Sequence, residues 1–332
     1  SAFGDTAVPM QAAIRTGGGV IKYANDVPLP PKEKAGQVLL KVRAASINPV
    51  DYKLPKWLAG PVAGLDVAGV VQSVAPDVTR FKPGDEVFGF ASTGSVAQFA
   101  VADAAKLAPK PVGVSFSVAA AIPTAHLTSY QALREHGGLT RGGRVLIIGA
   151  SGGCGLSACQ LAAAMGAAEV VGVCSAGNAQ LARSRGATRC VDYTDPTAMD
   201  ALAAEGPRFN VVYDAATGSG KGEDYCALCA KVVAVEGPGR RVAINGGLTK
   251  WLKCLTGWQS QDNKLVLTRQ NGEQLTEIME LLGGEGKDPG AGGGFPGPAV
   301  DSTHPLTAQG VDAAFHRLRS RRAKGKIVLT VV

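Results

Sequence analysis

The feature that most constrains the fold is a glycine-rich loop between an apolar strand and a helix. Residues 145–162 read VLIIGASGGCGLSACQLA, in which a β-branched run ends at Gly149 and an alanine- and leucine-rich run follows. The loop fits three patterns at once: G-x-S-x-G and G-x-x-x-G-x-G from Gly149, and A-x-G-x-x-G from Ala150. The first is typical of a nucleophilic serine, and the other two are typical of loops that hold a dinucleotide.

A dinucleotide loop explains more of these residues than a nucleophile does. A serine hydrolase would place Ser151 at the turn and use His304 or His316 further on, but it gives Gly155 no role. A dinucleotide loop needs small residues for the turn, for the approach of the pyrophosphate and for helix–strand packing. We therefore predict a cofactor loop and keep a serine hydrolase as a remote alternative. The loop comprises Ala150, Ser151, Gly152, Gly153, Cys154 and Gly155.

Two kinds of segment divide the chain. The first third contains short β-branched runs broken by Gly, Pro and Asp, such as QVLLKVRAASI at 37–47. From RVLIIGA onward, strand-like and helix-like runs alternate, which predicts a parallel sheet with helical crossovers. The tail contains two helical runs, a glycine- and proline-rich insertion of undefined role at 283–299, and a last strand. We predict an α/β fold with a parallel-sheet dinucleotide-binding domain at 126–268, inserted into a β-rich substrate domain at 1–125 and 269–332.

Composition argues against some classes of function. A net charge of +7 with 5% aromatic residues does not favour a nucleic-acid surface. No apolar run approaches the roughly 20 residues of a membrane helix, which leaves only peripheral membrane contact open. Seven cysteines at irregular spacing do not indicate a secreted disulfide framework. We expect the close pair Cys226 and Cys229 to be packed thiols rather than a metal site.

Four further stretches carry a family resemblance. They are AASINPVDYKL, GLDVAGVVQSVAPDVTRFKPGDEVFGF, AAAIPTAHLTSYQAL and AKGKIVLTV. Together they resemble the zinc-free quinone oxidoreductase branch of the medium-chain dehydrogenase/reductase superfamily, from Ala12 to Val332. The resemblance implies a Rossmann domain within a GroES-like domain, and NADPH-dependent reduction of a quinone or an α,β-unsaturated carbonyl.

The resemblance also implies a location and an assembly. Plastid-envelope and mitochondrial homologues are the most similar members, which implies an organelle after removal of a targeting segment, with the cytoplasm as the alternative. Nucleotide domains of this family pair through a sheet edge, and KLVLTRQ is an apolar strand placed after the last core strand. A homodimer is therefore expected.

The zinc enzymes of the superfamily bind their catalytic metal through Cys and Gly-His-Glu. Here Asn48 stands near the Cys position, and Leu65 with Asp66 replaces His-Glu. No closely spaced set of four cysteines is present for a structural zinc lobe. We therefore predict no metal, so that hydride must reach a carbon that is already electrophilic, as in an enone or a quinone.

The resemblance assigns roles to individual residues. It implies that Asn48 and Thr128 lie against the nicotinamide and its ribose, and that Lys53 points at the substrate carbonyl. A turn residue before Pro49 is the alternative for Asn48, and an exposed surface lysine is the alternative for Lys53. Further cofactor contacts are implied for Gly246, Gly247 and Lys326.

The second strand of the dinucleotide unit predicts NADPH. An NAD site places an acidic residue at the end of this strand, whereas this chain has the neutral residues Cys174 and Ser175. By resemblance Tyr193 contacts the 2′-phosphate. Asn178 stands where many relatives have a lysine, so Arg183 is the candidate cation in its place.

A shortened pocket segment and the glycine- and proline-rich insertion keep a second function open. Relatives carry about ten more residues between Lys53 and the Gly-x-Asp stretch, in a segment that forms the substrate pocket. His126 falls where relatives have Gly, and we expect a hydrogen-bonded structural histidine rather than a proton donor. The alternative is a non-catalytic, cofactor-holding subunit of a larger assembly.

Overall fold

The computed structural model describes residues 9–218, 224–235, 239–246, 252, 254–256, 263–283 and 297–331. The chain forms two compact units. One contains residues 1–124, 270–279 and 287–332, and the other contains residues 125–269 and 280–286. Among the described residues, no helix has both the length and the apolar character needed to cross a bilayer.

The strands and helices are as follows. The strands are β1 Met10–Gly17, β2 Val20–Val27, β3 Gln37–Ile47, β4 Asp66–Val74, β5 Glu86–Phe90, β6 Phe99–Asp103, β7 Leu107–Pro109, β8 Arg144–Ile148, β9 Glu169–Cys174, β10 Arg189–Asp192, β11 Val211–Asp214, β12 Arg240–Ala243, β13 Asn263–Leu265, β14 Val300–Pro305 and β15 Lys326–Thr330. The helices are α1 Pro49–Lys53, α2 Lys56–Ala59, α3 Phe116–Ala120, α4 Pro123–Tyr130, α5 Gly153–Ala164, α6 Ala179–Arg183, α7 Pro196–Ala204, α8 Cys226–Val232, α9 Gly272–Gly283 and α10 Ala308–Arg319.

The first unit is a mostly antiparallel β structure. Its sheet has the order β14-β15-β3-β4-β5-β7, and β6 also pairs with β3. The inward residues of β3, including Val38, Leu40 and Val42, are fully or almost fully buried, as a central strand requires. Phe315 of α10 lies in the same apolar cluster as these residues. β1 and β2 form a separate two-stranded hairpin.

The second unit is a parallel sheet in the order β10-β9-β8-β11-β12-β13. The strand RVLII is buried at every residue after Arg144, which is typical of a strand covered on both faces. The order runs outward from β8 to β10 and then resumes on the other side of β8 with β11. This reversal is a topological switch point, and ligands of open α/β sheets bind outside the carboxyl ends of the strands there. The predicted α/β fold, with Rossmann and GroES-like parts, is confirmed.

Some elements were not indicated by the sequence patterns. They are β1, β2, β6, β7, β14, α1, α2 and α7. The predicted strand KLVLTRQ is ordered as a strand only over Asn263–Leu265, where it forms the edge of the parallel sheet beside β12. The homodimer expected along this edge stays a prediction. The predicted helical region before Gly137 is confirmed as α3 and α4, extended by a π-helical turn at Gln131–His136.

Candidate cofactor loop and active-site residues

The glycine loop lies at the switch point of the parallel sheet. Gly149 has φ +81°, which favours glycine, and the N–H groups of Gly149 and Ala150 donate to the carbonyl oxygen of Val173 on β9. At Gly155 a Cβ atom would lie 2.1 Å from the carbonyl oxygen of Gly149, so helix and strand approach too closely for any side chain. Gly152 caps α5, whose first-turn N–H groups have no intrahelical acceptors and form a ready anion site.

The other predicted cofactor residues of this unit also follow strand ends. Ser175 follows β9, Tyr193 follows β10 and Gly246 comes shortly after β12. Because the carboxyl ends of parallel strands meet at one edge of a sheet, these residues share the edge that carries the glycine loop. Gly247 lies outside the described residues.

The end of β9 combines a polar turn with a cation. Asn178 donates from Nδ2 to Oγ of Ser175 at 3.1 Å, and Tyr193 is 51% exposed. Burial raises the pKa of the Cys174 thiol to about 12, and the nearby Arg183 guanidinium opposes this shift. An arginine therefore lies near the end of β9, and its contact with the 2′-phosphate of a nucleotide stays a prediction.

The loop is held by buried hydroxyl groups. Ser129 donates to the carbonyl oxygen of Cys154 at 2.9 Å, and its Oγ lies 3.1 Å from the Tyr213 hydroxyl. Thr128 is buried and its Oγ1 lies 2.7 Å from Oγ1 of Thr268. The roles of Thr128 and of the loop residues toward a nucleotide stay predictions.

His126 is a buried structural histidine, as expected. Its Nδ1 lies 3.2 Å from Oγ of Ser157 and its Nε2 lies 3.3 Å from Oε1 of Gln160. Both ring nitrogens therefore contact α5. The candidate histidines of the serine hydrolase alternative, His304 and His316, belong to the first unit, whereas Ser151 belongs to the second.

Gly155 provides a direct test of the loop. We expect Gly155→Ala to weaken nucleotide binding at least tenfold, because the new Cβ must push the loop away from α5 at a cost of about 1–3 kcal/mol. Isothermal titration with NADPH measures the effect. Asp200→Ala is the control, because Asp200 is an exposed residue of α7 and is not among the predicted cofactor residues. Equal affinity of the Gly155 variant and the parent would contradict the assignment of the loop.

The first unit contains a buried polar cluster around Asp66. Its carboxylate accepts hydrogen bonds from Ser46 Oγ at 3.0 Å, Asn48 Nδ2 at 3.0 Å and Thr124 N at 3.1 Å. The ammonium of Lys326 lies 3.2 Å from Oδ2 of Asp66 and also donates to Oδ1 of Asn48. Asp66 is fully buried and Lys326 is 5% exposed. The amide of Asn48 is thus fixed between a carboxylate and a cation.

The observed contacts of Lys326 differ from the contact that the resemblance implied. The resemblance implied a cofactor contact, whereas the ammonium is engaged within the first unit by Asn48, Asp66 and the carbonyl oxygen of Ile47. Contact with a nucleotide stays a prediction. The ion pair was missed by sequence reasoning because its partners are 260 residues apart, beyond any local pattern.

Asp51 is the second buried carboxyl of the cluster. Its Oδ2 accepts from the backbone N–H of Asn48 at 2.7 Å, and its Oδ1 has no hydrogen-bond partner. Burial raises the pKa of Asp51 to about 7, and the nearby Asp66 carboxylate adds to the rise, while the Asn48 hydrogen bond, Lys326 and Arg15 oppose it. Near neutral pH this carboxyl therefore holds or releases a proton.

The raised pKa of Asp51 predicts a pH-dependent stability. The unfolded carboxyl ionises near 3.8 and the folded one near 7, so folding loses stability as the pH rises between these values. We expect Asp51→Asn, which keeps an acceptor for the Asn48 N–H, to gain up to about 4 kcal/mol relative to the parent over this window. Urea denaturation of both proteins at several pH values measures the difference. A difference that stays constant with pH would contradict the raised pKa.

Lys53 is the exposed last residue of α1. Together with Tyr52 and Trp57 it lines a groove of about 500 Å³ in the first unit. The exposed position agrees with both predicted alternatives, a substrate contact and a surface lysine. The groove is a cavity that a substrate in contact with Lys53 can occupy.

The chain is similar in sequence to known dehydrogenases and reductases. Residues 34–112 match the alcohol dehydrogenase GroES-like domain family, and residues 185–329 match the zinc-binding dehydrogenase family. The chain is 34% identical to a 2-methylene-furan-3-one reductase of Solanum lycopersicum, over 93% of this chain and 75% of that protein. It is 32% identical to a chloroplast envelope quinone oxidoreductase homolog of Arabidopsis thaliana, over 94% of this chain and 95% of that protein.

The chain belongs to the quinone oxidoreductase branch of the medium-chain dehydrogenase/reductase superfamily. A solved quinone oxidoreductase of Coxiella burnetii superposes with a TM-score of 0.78 at 25% identity, over 97% of this chain and 99% of the other. The mitochondrial NAD(P)H oxidoreductase RTN4IP1 of Mus musculus is 28% identical, over 94% of this chain and 86% of that protein. This branch member is therefore an oxidoreductase, and its relatives are named for chloroplasts and mitochondria.

The residues at the catalytic zinc position of the superfamily do not fit a zinc ion. They are Asn48, Leu65 and Asp66, and the Asp66 carboxylate is already bound by the Lys326 ammonium and by neutral donors. Zinc is held by thiolate, imidazole or a free carboxylate. Among the described ranges, no group of three or more His, Cys, Asp or Glu side chains has the arrangement of a metal site.

Proposed function

We propose that this oxidoreductase binds NADPH at the glycine loop and reduces a quinone or an α,β-unsaturated carbonyl. The observation that carries the proposal is the close approach of the Gly155 backbone to the Gly149 carbonyl at the switch point, next to the N-terminus of α5, where a pyrophosphate would bind. Membership of the quinone oxidoreductase branch supports the same reaction class.

Different residues of the chain bind different parts of the nucleotide. The first-turn N–H groups of α5 bind the pyrophosphate, since a helix N-terminus favours negative charge. Ser175, Asn178, Arg183 and Tyr193 surround the ribose phosphate and select NADPH. When bound, the reduced nicotinamide supplies the hydride.

The substrate must accept hydride without a Lewis acid, because the residues at the zinc position do not fit a metal. An enone or a quinone meets this requirement, since its acceptor carbon is already electrophilic. The ammonium of Lys53 donates a hydrogen bond to the carbonyl oxygen, where negative charge develops during hydride addition. Solvent or a side chain then delivers the proton. The cluster of Asp66 and Lys326 fixes the amide of Asn48.

We also propose an organelle as the location and a homodimer as the assembly. Relatives named for chloroplasts and mitochondria support the location. β13 ends the parallel sheet, its outer side pairs with no other described strand, and this free edge supports pairing of two sheets.

NADPH is expected to bind about ten- to a hundred-fold more tightly than NADH. One charge-assisted contact to the 2′-phosphate contributes about 1.5–3 kcal/mol, and no acidic residue follows Cys174 at the end of β9 to bind the free ribose hydroxyls. Titration of the purified protein with both nucleotides, with Arg183→Gln as the variant, measures the preference. Equal dissociation constants for the two nucleotides would refute it.

The function itself is tested by NADPH oxidation with a panel of quinones and small enones. We expect turnover with at least one class of acceptor. Tight NADPH binding without any turnover would replace the reductase by the non-catalytic, cofactor-holding subunit of a larger assembly.

A further inference from the structure

The groove beside Lys53 has one wall without side chains. It is formed by the turn between β1 and β2, where Gly18 and Gly19 have φ +57° and +77° as in a type I′ hairpin turn. At Gly17 and Gly18 a Cβ would meet no atom within 4 Å, so this part of the wall is bare backbone that faces open space, whereas a Cβ at Gly19 would lie 3.0 Å from the carbonyl oxygen of Tyr52. A flat ligand can approach such a wall closely.

A second part of the lining carries an exposed aromatic ring. It is built from the segment Tyr52 to Trp57. The Tyr52 ring is covered by the Arg319 guanidinium, 5.3 Å from its centroid, whereas the side chain of Trp57 is 84% exposed. In the described parts of the chain, no cation lies over the indole. An exposed indole at the rim of a cavity offers a stacking surface for another ring.

The groove is positively charged. Lys53 and Lys56 are exposed, and neither forms an ion pair with any described residue. Arg15 is 5% exposed and its guanidinium is used by backbone carbonyl oxygens, among them those of Asp51 and Ala59. The lining residues include no Asp or Glu. An anionic group therefore meets attraction from two ammonium groups and repulsion from no lining carboxylate.

We propose that this groove binds a planar aromatic ring that carries an anionic substituent. The ring stacks on Trp57 against the glycine turn, Lys56 pairs with a carboxylate or sulfonate, and Lys53 remains available to a carbonyl oxygen. Resting on the proposed reductase function, this identifies the substrate class as an acidic quinone or aryl enone. A volume of about 500 Å³ accommodates a molecule of two or three fused rings.

The proposal is tested with two matched probes. Anthraquinone-2-sulfonate and 2-(hydroxymethyl)anthraquinone share the ring and differ in charge, and their binding is measured by calorimetry at low salt. We expect the sulfonate to bind about fivefold more tightly, as an exposed ion pair allows, and the advantage to disappear at high salt. Lys56→Gln should remove the advantage, whereas Lys32→Gln, outside the groove, should keep it.

The stacking surface has its own pair of variants. Trp57→Leu should weaken both probes about tenfold, because the loss of the ring affects charged and neutral ligands alike. Leu58→Ala is the control, since Leu58 is 59% exposed and adjacent but does not line the groove.

The outcomes separate this proposal from the proposed function. Equal affinity for the two probes, or an advantage that survives in Lys56→Gln, would overturn the anionic-ligand site even if neutral quinones are reduced. Sulfonate binding that depends on Lys56 and Trp57, in a protein that oxidises no NADPH with any quinone, would establish the groove and refute the reductase.

Discussion

Lys53→Ala is expected to lower kcat for an enone about a hundred- to a thousand-fold while leaving NADPH affinity unchanged. Hydride addition at the β-carbon moves charge onto the carbonyl oxygen, so a cation there stabilises the transition state more than the ground state. Removing one donor of this kind costs about 2.7–4 kcal/mol. Steady-state kinetics with a saturating enone, paired with calorimetric titration of NADPH, measures the two quantities separately.

Two further variants sharpen the result for Lys53. Lys53→Arg should recover part of the rate, because it keeps a cation at the same position. Lys34→Ala, a loss of an exposed lysine that does not line the groove, should not change kcat. If Lys53→Ala turns over an enone at the parent rate, Lys53 is a surface lysine and another group stabilises the enolate.

Lys326→Met is expected to destabilise the protein by about 3–5 kcal/mol, because it leaves the Asp66 carboxylate buried without its cation. A loss of this size is a large fraction of a domain's total stability, which is about 5–15 kcal/mol. The exposed neighbour Lys324→Met should change stability by less than about 0.5 kcal/mol. Chemical denaturation of the three proteins measures these differences.

The double variant Lys326→Met/Asp66→Asn provides the critical comparison. We expect it to be more stable than the sum of the single changes predicts, since neither buried charge then remains alone. Additive effects would show that the two side chains do not interact, and would remove the basis for a fixed Asn48 amide.

The sequence predicted those parts of the fold that are written in local patterns. β9 has the predicted bounds. α5 begins within two residues of the expected start, because the helical periodicity begins at the glycine loop. α7 was missed although its start carries a local signal. Asp195 accepts from the N–H of Thr197 at 2.9 Å and Pro196 occupies the first turn, a capped helix start that the surrounding polar residues obscured.

The candidate site also has parts that local sequence patterns predicted and parts that they did not. The glycine loop and the turn after β9 lie at neighbouring strand ends, as the spacing within one βαβ unit predicted, whereas their contacts with a nucleotide stay predictions. The cluster of Ser46, Asp66, Thr124 and Lys326 was not, because pairing of β3 with β4 and β15 brings distant segments into contact. Asp66 attracted attention only as a replacement for a metal ligand, and its partner across the sheet had no sequence signal.

The most direct test of the central claim is the fate of a labelled hydride. NADPH carrying deuterium at C4 is incubated with the protein and an α,β-unsaturated ketone, and the product is analysed by NMR and mass spectrometry. Direct transfer predicts one deuterium at the β-carbon of the product, from only one of the two C4-labelled stereoisomers, and none at the α-carbon. Product without deuterium at the β-carbon, or no product from any enone or quinone despite NADPH binding, would contradict a zinc-free hydride-transferring reductase.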